Sequence, residues 1–126
     1  MRFVLVINLL VFIIPFVEFF KNSKSKEATF LIIDIDNLIT INDNYGHIKG
    51  DETIKRVSDS LLSIFRGNDV VCRMGGDEFA VFTPNKIEKN ILIEKLEDLN
   101  TKLTFDVEDI QVSCSIGVCS SPEFGT

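Results

Sequence analysis

The stretch Arg73-Met74-Gly75-Gly76-Asp77-Glu78-Phe79 constrains the fold more than any other part of this chain. It lies between two apolar runs, Val70-Val71-Cys72 and Phe79-Ala80-Val81-Phe82. A Gly-Gly pair between strand-like runs predicts a tight hairpin, because both turn positions can take positive φ without steric cost. Such a hairpin displays Asp77 and Glu78 at the tip of a sheet. Two carboxylates held side by side repel each other unless a cation or a donor sits between them. The hairpin therefore points to a metal site.

A second acidic cluster points the same way. Phe30-Leu31-Ile32-Ile33 is a continuous apolar run, suited to a strand buried on both faces, and it ends in Asp34-Ile35-Asp36. Alternation puts Asp34 and Asp36 on one side of that strand. If the strand pairs with the hairpin, Asp34 and Asp77 can share one Mg²⁺. That ion takes hard oxygen ligands, usually one or two carboxylates plus substrate phosphates. Two such ions are a common means of activating a hydroxyl in phosphoryl transfer.

The remaining pattern supplies the other elements. Leu38 to Asn44 predicts a short helical turn, punctuated by Gly46 and Gly50. Ile54, Val57, Leu61, Leu62 and Phe65 recur at helical spacing over residues 51–65, and Gly67-Asn68 stops that helix. Ile87, Ile91, Leu92, Leu96, Leu99 and Leu103 predict a second amphipathic helix. Ile110 to Cys119 reads as a last, alternating strand. The order strand, helix, strand, strand, helix, strand is that of the ferredoxin-like α+β fold, a central antiparallel sheet with helices packed on it.

With 126 residues the chain makes one domain with a substantial core. A net charge of −6 with no basic stripe excludes a general binder of nucleic acid polymers. A nucleotide ligand stays open, since a metal can supply the positive charge. Cys72, Cys114 and Cys119 are odd in number and lie in strand-like runs, so they read as buried reduced thiols.

Several of these features together resemble the GGDEF domains, the diguanylate cyclases. Gly75-Gly76-Asp77-Glu78-Phe79 spells the family's name. Asp34-Ile35-Asp36, Ile41-Asn42-Asp43, Tyr45-Gly46-His47, Gly50-Asp51-Glu52 and Ser115-Ile116-Gly117-Val118 follow its order and spacing, over roughly residues 27 to 119. The resemblance implies the palm-type nucleotide cyclase fold. It also implies condensation of two GTP to cyclic di-GMP and pyrophosphate by a homodimer, one GTP per domain, in bacterial signalling.

The same resemblance assigns roles. Asp34, Asp77 and the Ile35 carbonyl would hold Mg²⁺ or Mn²⁺. Asp77 stands where the family has the proton acceptor for the 3′-hydroxyl, and Glu78 is carried over as an active-site residue of open role. Gly75 and Gly76 would let backbone approach the nucleotide. Asn42 and Asp51 match the positions that read guanine, although Asp51 also stands where a helix N-cap would. Arg66 and Asp69 match the product-inhibition site for cyclic di-GMP, with Arg73 in support, while Arg66 also suits a helix C-terminus.

The chain departs from the family pattern in three ways. Leu38 and Ile39 stand where the family has Phe-Lys, and Ile39 cannot contact a triphosphate as the Lys does. The sequence ends at Thr126, before the expected C-terminal helix that carries further phosphate-binding Lys and Arg. The family's N-terminal motif is eroded, with only Asn8 near its place. A degenerate domain that senses GTP or cyclic di-GMP without turnover, or a non-functional truncated fragment, therefore stands beside the cyclase reading.

We divide the chain into residues 1–26, a hydrophobic segment with a linker, and residues 27–126, the domain proper. From Phe3 to Phe20 the chain is almost wholly apolar, with Lys21, Lys24 and Lys26 after it. Two readings stand: a membrane contact through residues 3–20 with the domain on the cytoplasmic side, or an irregular leading helix.

Overall fold

The structure is a computed structural model and describes residues 5–6, 28–84 and 86–121. Its centre is strand β2 (Ala28–Asp36), where alternation sends Leu31, Ile33 and Ile35 into the main core. β2 is hydrogen-bonded on both sides, antiparallel to β4 (Glu78–Thr83) and to β6 (Ile110–Ser121). β3 (Val70–Arg73) pairs antiparallel with β4, and β5 (Phe105–Val107) with β6. The short β1 (Leu5–Val6) lies parallel to β3 at the far edge. The sheet order is β1-β3-β4-β2-β6-β5. Without its two outer strands this is the antiparallel ferredoxin-like order read from the sequence.

Helices α1 (Leu38–Tyr45), α2 (His47–Ile64) and α3 (Lys89–Lys102) share one core with the sheet. Leu38 and Ile41 of α1 meet Val57, Leu61 and Ile64 of α2, Leu99 of α3, and the inward residues of the strands. On the second face Cys72 and Ala80 form a smaller cluster with Phe30, Ile32, Met74 and Phe82. Glu88 caps α3 by accepting from the Ile91 N–H at 3.3 Å.

Four expectations are revised. Helix α2 begins at His47, well before Asp51, because Gly46 at φ 90° starts the helix directly after α1. Asp51 is therefore within the helix and is not its N-cap. The Gly75-Gly76 turn is not a two-residue hairpin with positive φ. Among the described glycines only Gly46 and Gly67 have positive φ, and the loop spans Met74 to Asp77 between the strand ends. The last strand is half of a hairpin, since Phe105–Val107 pairs back on it through Glu108-Asp109, with Glu108 at φ 56°. Finally, Leu5–Val6 complete the sheet edge, a placement that neither reading of the N-terminal run anticipated. The rest of that run lies outside the described residues. Among the described residues no helix is long and apolar enough to cross a membrane.

Candidate active site

Both acidic clusters are carried to one end of the sheet by the β2–β4 ladder. Its register pairs Ile33 with Phe79 and Asp34 with Glu78. One step further, the Ile35 N–H donates to the Asp77 carbonyl at 2.8 Å. The expected meeting of strand and hairpin therefore occurs, and Asp34, Ile35, Asp77 and Glu78 are neighbours. Like charges directly opposite on an antiparallel pair are destabilising, and here Asp34 faces Glu78 with Asp77 and Asp36 beside it.

The electrostatics follow from that crowding. Burial, then the charges of Asp77, Glu78 and Asp36, hold the Asp34 carboxyl above the usual carboxylate range. Asp34 Oδ1 is buried and has no hydrogen-bond partner. Asp36 differs: its carboxylate accepts from Ser113 Oγ at 3.1 Å and Ser115 Oγ at 3.3 Å. Of two acids that the sequence places on one side of the strand, one is satisfied by protein donors and the other is not. Ser113 was not singled out from the sequence, and Ser115 only as the start of the Ser115-Ile116-Gly117-Val118 stretch, with no role given to its hydroxyl. Their alternation opposite Asp36 and Asp34 on β6 was the available signal.

An unpaired, buried carboxylate oxygen among three further acids is a setting that a cation relieves. The donor set, two carboxylates and the Ile35 carbonyl, is of the kind Mg²⁺ uses when nucleotide phosphates and water complete its shell. Among the described residues no three His, Cys, Asp or Glu side chains converge to hold a metal alone.

The Gly75-Gly76 loop is held by the arginine that ends β3. Arg73 Nε donates to the Gly75 carbonyl at 3.1 Å and Arg73 Nη2 to the Gly76 carbonyl at 2.9 Å. The Met74 N–H donates to the Glu78 carbonyl at 2.8 Å. A Cβ added at Gly75 or Gly76 would meet nothing within 4 Å. Neither the backbone conformation nor the packing of the loop requires glycine there. A surface that something else must approach closely does favour it. Arg73, expected beside Arg66 and Asp69, is thus engaged with the loop carbonyls.

Helix α1 leaves the same end of the sheet directly after Asn37, whose φ of 71° turns the chain. Half-buried Asn42 on α1 lies against Gly50 of α2, so the helix pair brings Asn42 and Asp51 into one neighbourhood. Neither side chain hydrogen-bonds another described residue. Ties to the β5–β6 turn steady this corner. The Tyr45 hydroxyl donates to Asp109, Asn37 Nδ2 to the Gln111 carbonyl at 2.9 Å, and Lys49 pairs with Glu108 at 3.4 Å. Ile39, on the first turn of α1, is 70% exposed, whereas Leu38 beside it is buried.

Arg66 and Asp69 lie at the end of α2. The Asp69 carboxylate accepts from the Arg66 N–H at 3.0 Å, and Arg66 Nε donates to the Ser63 carbonyl at 3.1 Å. The two residues thus share one turn at the end of α2. Two open clefts flank Arg56, one of about 220 Å³ between α2 and β5 and one of about 440 Å³ between α2 and Lys102 of α3, and neither is lined by Asp34, Asp77 or Glu78. Cys72 and Cys114 are free thiols, with burial pushing them up to about 11 and about 12. The Cys119 side chain lies outside the described residues.

Comparisons with known proteins bear on the family and the fold. Residues 17–126 match the family described as diguanylate cyclase, GGDEF domain. The chain is 40% identical over 97 residues to the probable diguanylate cyclase DgcC of Escherichia coli K12, covering 75% of this chain and 26% of that protein. It is 34% identical over 109 residues to the cyclic di-GMP phosphodiesterase PdeR of the same organism, covering 84% of this chain and 16% of that one. The chain thus spans about a quarter or less of these relatives. The crystal structure of the GGDEF domain of PA1120 (YfiN or TpbB) from Pseudomonas aeruginosa superposes with a TM-score of 0.77 at 24% identity. That likeness covers 92% of this chain and 76% of the other, and it shows the shared fold. On the extent of the family match and the identity to its members, the chain belongs to the diguanylate cyclase GGDEF domain family.

Proposed function

We propose that this domain condenses two GTP into cyclic di-GMP, with release of two pyrophosphates, as one half of a homodimer. The observation that carries this reading is the buried, unpaired Asp34 Oδ1 beside Asp77, at the end of the sheet from which the Asn42 helix departs. Asp34, Asp77 and the Ile35 carbonyl are the candidates to hold Mg²⁺ or Mn²⁺. Bound there with GTP, the ion supplies charge neutralisation on the triphosphate and a lowered pKa for the attacking hydroxyl.

The chain's own residues then have separable tasks. Asp51 accepts from the guanine N1 and N2 donors, while the Asn42 amide oxygen shares the 2-amino group and its N–H meets N3. Adenine lacks the N1 and 2-amino donors and would leave the Asp51 carboxylate unpaired, which gives discrimination. The glycine loop admits the nucleotide backbone, with its carbonyls held by Arg73. In each half-reaction a 3′-oxygen bonds to the α-phosphorus of the partner domain's GTP as the bond to pyrophosphate breaks. Asp77 is the nearby group able to accept the hydroxyl proton. Arg66 and Asp69 form the candidate site where cyclic di-GMP restrains turnover.

A second reading, a domain that binds GTP or cyclic di-GMP without turnover, is favoured by exposed Ile39 in place of a triphosphate-binding cation. One assay separates the two. The chain is incubated with GTP and Mg²⁺, cyclic di-GMP is detected by mass, and binding of both nucleotides is followed by calorimetry. Product that disappears in Asp77→Ala supports the cyclase. No product, with cyclic di-GMP binding lost in Arg66→Ala, supports the sensor. Mg²⁺-dependent GTP affinity unchanged in Asp77→Ala sinks the metal assignment.

A further inference from the structure

Gly50 is a buried residue inside helix α2, where alanine is the better helix former. Its backbone does not explain the choice, since Gly50 is not among the residues with positive φ. Its neighbour does. A Cβ on Gly50 would overlap the Asn42 side-chain oxygen outright and stand 2.8 Å from Asn42 Cγ, closer than real Cβ contacts come. The space a side chain would fill is taken by the Asn42 amide. That amide makes no hydrogen bond to another described residue, so packing against Gly50 is what seats it. The next residue along α2 is Asp51.

From this contact we infer that Gly50 is a positioning residue for nucleobase specificity. Its missing side chain seats the Asn42 amide beside Asp51, so that the two meet one guanine edge together. The inference rests on the reading of Asn42 and Asp51 as the guanine-binding pair. It makes a distinctive prediction because Asn42 is short and ends in a rotor. A methyl group at Gly50 turns the amide aside without disturbing the backbone, and alanine is the better helix former. A residue needed only for helix contact would change stability and leave base preference alone.

The test is calorimetric binding of GTP, ITP and ATP with Mg²⁺ to the full chain and to Gly50→Ala, Asn42→Ala and the double variant, with melting temperatures in parallel. ITP lacks the 2-amino group that the Asn42 amide is expected to meet. Gly50→Ala is expected to keep its fold, lose GTP affinity by roughly 10- to 100-fold, and change ITP affinity much less. In the Asn42→Ala background the same substitution should have no further effect on base preference. Equal losses in both backgrounds, or an unchanged GTP/ITP ratio in Gly50→Ala, overturn the inference while the guanine reading stands. An unchanged ratio in Asn42→Ala overturns the guanine reading and the inference with it. If Gly50→Ala alone does not fold, the double variant, which lacks the colliding atoms, must regain the fold. Failure to regain it overturns the seating of Asn42 by Gly50.

Discussion

Asp34→Asn should stabilise the free protein and abolish its response to Mg²⁺ and GTP. Asparagine keeps the volume of the side chain, removes one of four neighbouring negative charges, and offers an N–H that Asp77 can accept. The wild-type cost has two parts. A buried acceptor left without a partner costs about 1–3 kcal/mol, and like charges directly opposite on paired strands cost up to about 1 kcal/mol. Both apply at Asp34, whose Oδ1 is buried and unpaired and which faces Glu78 across the ladder. The substitution relieves part of each, because the amide oxygen stays buried but is neutral. A gain of about 1–2 kcal/mol is expected, which in a domain of this size raises Tm by roughly 4–8 °C.

The assay is thermal unfolding in chelator, then with Mg²⁺ and GTP. At ligand about 100 times its Kd the wild type should gain about 2.7 kcal/mol, and Asp34→Asn nothing. The order of stability therefore reverses between the two buffers. A lower Tm for Asp34→Asn in chelator would show that the carboxylate is already satisfied. A full ligand-dependent rise in the variant would show that Asp34 holds no metal. Either result refutes the reasoning.

Three further predictions concern other parts of the molecule. Ile39→Lys places a cation on an exposed turn at no cost in burial, and should raise cyclic di-GMP formation by roughly 10²-fold, read by product mass, if a missing phosphate contact limits turnover. Arg73→Ala releases the Gly75 and Gly76 carbonyls and should weaken Mg²⁺-dependent GTP binding by roughly tenfold at near-constant Tm, read by calorimetry. Cys72 is buried and stays protonated in the fold up to about pH 11. An unfolded thiol ionises near pH 8.5–9, so the stability it contributes is fully present below that range and is lost as pH rises toward 11, by up to about 3 kcal/mol. Cys72→Ala should flatten this alkaline decline in denaturant unfolding, and wild-type Cys72 should resist alkylation at pH 8.

The two acidic clusters and their shared end of the sheet were legible because each rests on a local pattern with one geometric solution. A continuous apolar run flanked by acids makes a central strand, and a glycine pair between two more runs makes a return. Strand β5 was not legible, since three residues carry too little alternation to stand out from a loop. The start of α2 was misplaced because the strongest turn signals, Gly46 and Gly50, look alike in sequence. Only packing shows that Gly46 turns the chain at φ 90° and that Gly50 lies inside the helix against Asn42.

By itself, then, the sequence determined the order of the central elements, because periodicity and spacing are local properties of the chain, and its motifs carried the resemblance to the family and the residue types of the candidate site. Which carboxylate is satisfied by serine hydroxyls and which keeps a buried oxygen without a partner was decided by tertiary structure alone. Asp34 and Asp36 are equivalent by alternation. Ser113 and Ser115 reach Asp36 across the β2–β6 pair, while Asp34 is left facing Glu78 and Asp77. Hydrogen bonds between residues some eighty positions apart depend on strand register, and register is set by the packed sheet as a whole.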